Sequence, residues 1–181
     1  VAKFMASDAA ADDRFGQSVA IYGGTIVAGS WFDDDAGSKS GSAYVFALPS
    51  TDYAQLAKLV AGDAAASDQF GRSVAIDGDT VVIGVQYAGT GGAVYVLRTS
   101  DGGATYAQVA KLTASDYFGI SVAIDGATIV VGAYRDDDGG LSSGSAYVIR
   151  TTDGWGTYTA IKLTASDGAS EDYFGRSVAI D

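Results

Sequence analysis

Two acidic stretches, WFDDDAGSKSGSAYVF from Trp31 and YRDDDGGLSSGSAYVI from Tyr134, hold the residues of this 181-residue chain best suited to chemistry. Three consecutive carboxylates repel one another unless a cation or backbone donors hold them. Alternate side chains of such a run share a side. Asp33 and Asp35, like Asp136 and Asp138, are therefore placed to chelate a hard divalent ion, Ca²⁺ first among them. Gly37 or Gly139 would allow the tight turn, and Ser38, Ser40, Ser142 or Ser143 with backbone carbonyls would complete an oxygen shell. The spacing falls one residue short of D-x-D-x-D-G, and the competing reading is a solvated loop whose Asp side chains accept from backbone amides. Glycoside hydrolysis is the other chemistry open to carboxylates alone, since it needs two acids. Loop aromatics add a third possibility. Trp31, Phe32, Tyr134 and Trp155 differ between related segments and are the candidate partner-binding residues, set against plain packing over a sheet edge.

Composition removes most alternatives. The chain has no His and no Cys, so thiolate zinc sites, disulfides, cysteine nucleophiles and the commonest general base are all excluded. Its formal net charge is −11, and every acidic residue except Glu171 is Asp. Asp favours turns and caps over helix interiors, which places the acid in loops. Clustered Lys/Arg is missing, which argues against nucleic acid or a polybasic membrane contact. No apolar run approaches the roughly 18 residues of a membrane-spanning helix.

The elements that must position these residues come from an internal repeat. Phe-Gly recurs at Phe15, Phe70, Phe118 and Phe174, followed by QSVAIYGGTIVAG, RSVAIDGDTVVIG, ISVAIDGATIVVG and RSVAID. GSAYVF, GAVYVL and GSAYVI come next, and each unit closes on YAQLAKL, YAQVAKL or YTAIKL. The short β-branched runs are joined by Asp77-Gly78, Asp125-Gly126 or Tyr22-Gly23-Gly24, a strong hairpin signal. Four such strands per unit of about 50 residues is the arithmetic of a propeller blade. The predicted fold is all-β, with units at 15–69, 70–117 and 118–173 and partial units at 1–14 and 174–181, the whole of 1–181 forming one propeller segment. Recurrent Phe15, Phe70, Phe118 and Phe174 are expected between blades, and Tyr44, Tyr95 and Tyr147 in the core.

These residues resemble the FG-GAP repeat, whose Phe-Gly, Val131-Gly-Ala-Tyr134 and Gly144-Ser-Ala-Tyr-Val148 words they share. The resemblance implies a β-propeller like that of integrin α subunits, with blades of four antiparallel strands in a larger, seven-bladed ring. Three full units would then need further blades from the same or another chain. Many such repeats carry a calcium loop between the first and second strands. Here that connection has shrunk to Asp-Gly turns, so the property does not pass to Asp77, Asp79 or Asp125.

The functional expectation is a non-catalytic module for protein or glycan interaction of the adhesion type, in an extracellular or cell-surface setting. The alternative is a structural subunit of an extracellular fibre, coat or assembly. A carboxylate-only glycoside hydrolase ranks below both, because the repeat leaves no carboxylate pair unexplained; other enzyme classes lack a Ser-His-Asp set or a nucleotide-binding fingerprint. Ca²⁺ is the one cofactor expected, and no direct membrane insertion by this segment is expected.

Overall fold

The alternation of the repeat words produces twelve strands in a computed structural model that describes residues 3–48, 54–89, 91–114 and 116–181. Val1 and Tyr53, the first residues of the leading partial unit and of the YAQLAKL run, lie outside the described residues. The first sheet comprises β1 (Val19–Tyr22), β2 (Thr25–Ser30), β3 (Ser42–Ala47) and β4 (Gln55–Leu59). The second holds β5 (Phe70–Asp77), β6 (Thr80–Val85), β7 (Ala93–Arg98) and β8 (Ala107–Thr113), and the third β9 (Ser121–Asp125), β10 (Thr128–Ala133), β11 (Ser145–Thr151) and β12 (Tyr158–Leu163). Each sheet is a four-stranded antiparallel meander, as a propeller blade requires, and no helix occurs among the described residues. The three blades form an open arc.

The inner hairpins are two-residue loops whose ends pair as Tyr22↔Thr25, Asp77↔Thr80 and Asp125↔Thr128. The turn proper is thus Gly78-Asp79 or Gly126-Ala127, one residue later than the Asp-Gly reading. Gly23, Gly78 and Gly126 take φ values of +55°, +54° and +52° at the first turn position, where glycine meets no steric cost.

Strand alternation gives every blade two faces, and adjacent blades press opposite faces together. Val27, Ala43, Val45 and Leu59 of the first blade share a buried cluster with Phe70, Ile83, Val85 and Tyr95 of the second. Val82, Val94, Val96 and Leu112 of the second meet Phe118, Ile129, Val131 and Ile149 of the third in the same way. Phe70 and Phe118 therefore sit between blades as expected, whereas Phe15 packs beside Phe4 and Phe46 on the first blade and Phe174 is 39% exposed. Phe15, Phe70 and Phe118 each meet the β3-type tyrosine of their own blade edge-on: Phe15–Tyr44 at 5.6 Å, Phe70–Tyr95 at 5.5 Å and Phe118–Tyr147 at 5.2 Å between ring centroids.

Glycine decides how close the blades come. Gly41, Gly92 and Gly144 form parallel bridges to Phe70, Phe118 and Phe174 of the following unit. Ser18, Ser73 and Ser121 donate their hydroxyls to the carbonyls of Gly71, Gly119 and Gly175 at 2.7, 2.9 and 3.0 Å. A Cβ on Gly29, Gly84 or Gly132 would stand 2.0, 2.0 or 1.8 Å from those same carbonyl oxygens. No side chain fits there. Gly84→Ala is expected to cost about 3 kcal/mol in urea unfolding, because a backbone carbonyl cannot step aside without opening the seam. Gly78→Ala, whose Cβ would meet open space, should cost only the left-handed backbone penalty of about 1 kcal/mol.

Candidate functional site

Two constellations are built on this frame, and the loop that follows the second strand contributes to both. The first is an ion cluster repeated in each blade. The antiparallel register places Lys58 opposite Tyr44, Lys111 opposite Tyr95 and Lys162 opposite Tyr147. Each ammonium lies over its tyrosine ring, at 5.2, 5.0 and 5.8 Å from the centroid.

The acidic loops fold back onto these lysines. In the first blade Lys58 Nζ is 2.7 Å from Asp8 and 3.1 Å from Asp33, and it also pairs with Asp35. The Tyr44 hydroxyl donates to Asp8 and Asp33, each at 2.8 Å. In the third blade Lys162 meets Asp136 at 2.6 Å and Asp138 at 2.5 Å. The second blade lacks the triple-Asp loop and keeps only Asp63, which accepts from Tyr95 at 2.7 Å and Lys111 at 2.6 Å.

The expected alternation is therefore present: Asp33 with Asp35, and Asp136 with Asp138, face one cation. That cation is a lysine. Asp34 and Asp137 turn the other way and accept from the Lys39 and Ser142 backbone amides, both at 2.6 Å. The hydroxyls of Ser40 and Ser143, candidates for an oxygen shell, serve the loop backbone instead. Each donates to the carbonyl of Asp33 or Asp136 and accepts from the amide of Ala36 or Gly139. Asp8, Asp33 and Asp35 bring their oxygens close enough to hold a metal ion, but the Lys58 ammonium fills that space. As arranged, the set does not also fit Ca²⁺.

Burial pushes the Asp33 carboxyl up, but the Tyr44 hydroxyl, the Asp35 amide and the Lys58 ammonium together hold it below the ordinary value of 3.8. Asp136 behaves alike, with burial outweighed by Lys162 and the Asp138 amide. Burial disfavours the Lys58 charge, yet Asp35, Asp8, Tyr44 and Asp33 raise it well above the ordinary lysine range. In the outer turns Thr105 holds Asp101, and Thr157 holds Asp153, down to about 2.

The second constellation is a band of aromatic rings and guanidinium groups crossing the blades. The residue before each Phe-Gly, namely Arg14, Gln69, Tyr117 and Tyr173, takes a left-handed φ of 57°, 64°, 63° and 55°. This backbone lifts the side chain toward the loops that follow the second strands. Tyr87–Tyr117, Tyr117–Tyr134 and Tyr134–Tyr173 make successive ring contacts at 5.4, 5.6 and 5.8 Å. Arg135 lies 4.6 Å over Tyr117, Arg14 4.7 Å over Phe32 and Arg72 4.8 Å over Trp31. A shallow cleft of about 170 Å³ opens between Tyr87 and Tyr117, lined also by Gln86, Gly89, Gly91 and Asp116.

Of the aromatics expected to bind partners, Trp31, Phe32 and Tyr134 fall in this band and are half-buried. Trp155 does not. It is 4% exposed and belongs to the buried cluster of Val82, Leu112 and Ile149. Its backbone φ of 83° matches the 96° of Gly103, the equivalent turn residue of the second blade. A Cβ at Gly103 would point at Leu56 of the preceding blade, 3.2 Å away, so the side chain at this position is aimed across the seam into the core.

A family model for the FG-GAP repeat matches residues 1–46, 53–97, 106–149 and 159–181. The chain belongs to the FG-GAP repeat family. A search of curated proteins finds no match. Among solved structures the FG-GAP chain is similar to that described as the crystal structure of the Saccharomyces cerevisiae Sqt1, a WD40 propeller, with a TM-score of 0.55 and 15% identity. That likeness covers 86% of this chain and 38% of the Sqt1 chain, and it concerns the fold alone.

Sequence reading missed Lys58, Lys111 and Lys162, although the recurring A-K-L and I-K-L words held the signal. Lys58→Met should leave Asp33, 3% exposed, without its ammonium and cost about 3 kcal/mol, whereas Lys111→Met should cost under about 1 kcal/mol because the Asp63 side chain is 55% exposed. A carboxylate depressed in the folded state stabilises fully above its unfolded value. The contribution of Asp33 and Asp136 should thus be complete above about pH 4 and lost below it, as acid unfolding followed by circular dichroism would record.

Proposed function

We propose that this FG-GAP chain is a non-catalytic propeller module whose aromatic–arginine band is an interaction surface for a protein or glycan in an extracellular or cell-surface setting. The band carries the reading. It is the part of the repeat in which side chains vary between units while the backbone positions recur, the arrangement by which repeat proteins present a binding surface on a rigid frame. A non-catalytic role is supported by the acids themselves. A glycosidase needs a carboxylic acid held protonated, and Asp8, Asp33, Asp63, Asp101, Asp136 and Asp153 are all pushed the other way.

A structural role has its own observation. Val19 and Ile21 on one terminal blade are 65% and 61% exposed, and Ile161 and Leu163 on the other are 63% and 43% exposed. These residues occupy the faces that internal blades bury, so further blades of the same or another chain would cover them. In both readings Lys58 and Lys162 serve as the resident cations of the acidic loops, in place of Ca²⁺ at Asp33, Asp35, Asp136 and Asp138.

Two measurements test this. Glycan-array and protein-array binding is expected to fall at least tenfold in Trp31→Ala and Tyr134→Ala; binding only in fixed stoichiometry inside a larger particle would favour the structural role. Millimolar Ca²⁺ is expected to leave the melting temperature unchanged. A rise that disappears in Asp33→Ala with Asp136→Ala would show instead that calcium displaces the lysines.

A further inference from the structure

The cleft between Tyr87 and Tyr117 sets an aromatic face and a carboxylate beside an exposed guanidinium. Tyr87 is 42% exposed and offers a free ring face, while Tyr117 closes the opposite side. Asp116 supplies a carboxylate at the wall, while Gln86, 7% exposed, already accepts from Arg72 Nε at 3.0 Å. Arg135 does not line the cleft itself but is exposed beside it, its guanidinium lying over Tyr117 at 4.6 Å and Tyr134 at 5.6 Å with one N–H donated to the Tyr117 hydroxyl at 3.3 Å.

Charge makes that arginine unusual. In a chain of net charge −11, every ion pair among the described residues uses a lysine: Lys58, Lys111 or Lys162. Arg14, Arg72 and Arg135, three of the six arginines, are laid on aromatic rings and meet no carboxylate there. Stacking on a ring leaves the planar edge of a guanidinium, with its forked donors, open to a carboxylate from outside.

We propose that this cleft binds a uronic-acid unit of an acidic polysaccharide, a proposal that rests on reading the band as an interaction surface. The sugar's C–H face lies on Tyr87, its hydroxyls donate to Asp116, and its carboxylate meets Arg135. The cleft, at about 170 Å³, is well below the roughly 300 Å³ of sites for drug-sized ligands, and so suits a single ring. Asp116 selects between polyanions. It accepts hydrogen bonds from hydroxyls, so a ligand with several hydroxyls beside its carboxylate fits where an acidic peptide, with no hydroxyls to donate, does not.

Calorimetry with a galacturonic-acid oligomer, a neutral galactose oligomer and poly-L-glutamate tests the proposal on the whole chain. The uronate oligomer is expected to bind, with affinity falling as salt rises, and the other two to bind at least tenfold more weakly. Arg135→Ala and Tyr87→Ala, both at exposed side chains and checked for an unchanged melting temperature, should each lower uronate affinity at least tenfold. Equal binding of poly-L-glutamate or of the neutral oligomer overturns the proposal, as does wild-type affinity in both variants. No uronate binding, alongside array binding that depends on Trp31 or Tyr134, overturns this proposal and leaves the interaction surface standing.

Discussion

At each boundary between blades, backbone packs directly on backbone. The carbonyl of the glycine in Phe-Gly accepts a serine hydroxyl from the preceding blade and lies where a Cβ on Gly29, Gly84 or Gly132 would have to be. A glycine at mid-strand ordinarily weakens a sheet, through lost entropy and a missing side chain. Here the cost is offset by what the close approach permits. The inner strands converge, the β-branched faces beside them come into contact, and Phe70 and Phe118 drop into the space between blades. The word Phe-Gly therefore joins two functions: the aromatic fills the seam and the glycine sets its width.

The loops inherit their geometry from this seam. Phe70, Phe118 and Phe174 are tied by their backbone amides to Ser40, Gly91 and Ser143 of the preceding unit, so the loop after each second strand ends at a fixed place. Once that loop is anchored, its carboxylates can only fold back over the outer strand, where a lysine and a tyrosine wait in register. The residues before Phe-Gly are held just as firmly in their left-handed conformation and project between successive loops. A rigid ion cluster and an exposed aromatic–arginine band thus arise from one constraint. Lysines take up the nearby acids, which leaves the arginines on the rings free of carboxylate partners.

Much of the frame was legible in the sequence. The recurring words specified four strands per unit, the Gly-centred hairpins and the Phe and Tyr core positions, because each of these depends on local spacing that repeats. What escaped notice depended on chain segments far apart. Lys58 meets Asp8 and Asp33 only after the loop closes on the outer strand, so the triple-Asp runs read as open chelating loops. Trp155 looked like a surface ring because it sits in a Gly-rich turn, and a left-handed backbone there sends it inward. The mid-strand glycines were visible in TIVAG, VVIG and IVVG, but only the facing carbonyl explains them. The band was half legible: Trp31, Phe32 and Tyr134 stood out, whereas Tyr117 and Arg135 gained meaning when their stacking became apparent.

The dependence of the fold on the seam is tested most directly by native-state amide hydrogen exchange at Phe70 and Phe118, which donate across blades to Ser40 and Gly91 at 2.9 and 3.1 Å. If the seam is the constraint that holds the arc together, these two amides should open only with global unfolding, at the free energy shown by Val82 and Ile83 in the middle of a blade. Exchange at Phe70 and Phe118 through a much cheaper opening, with Val82 and Ile83 still protected, would mean that blades separate while remaining folded, and would contradict the account.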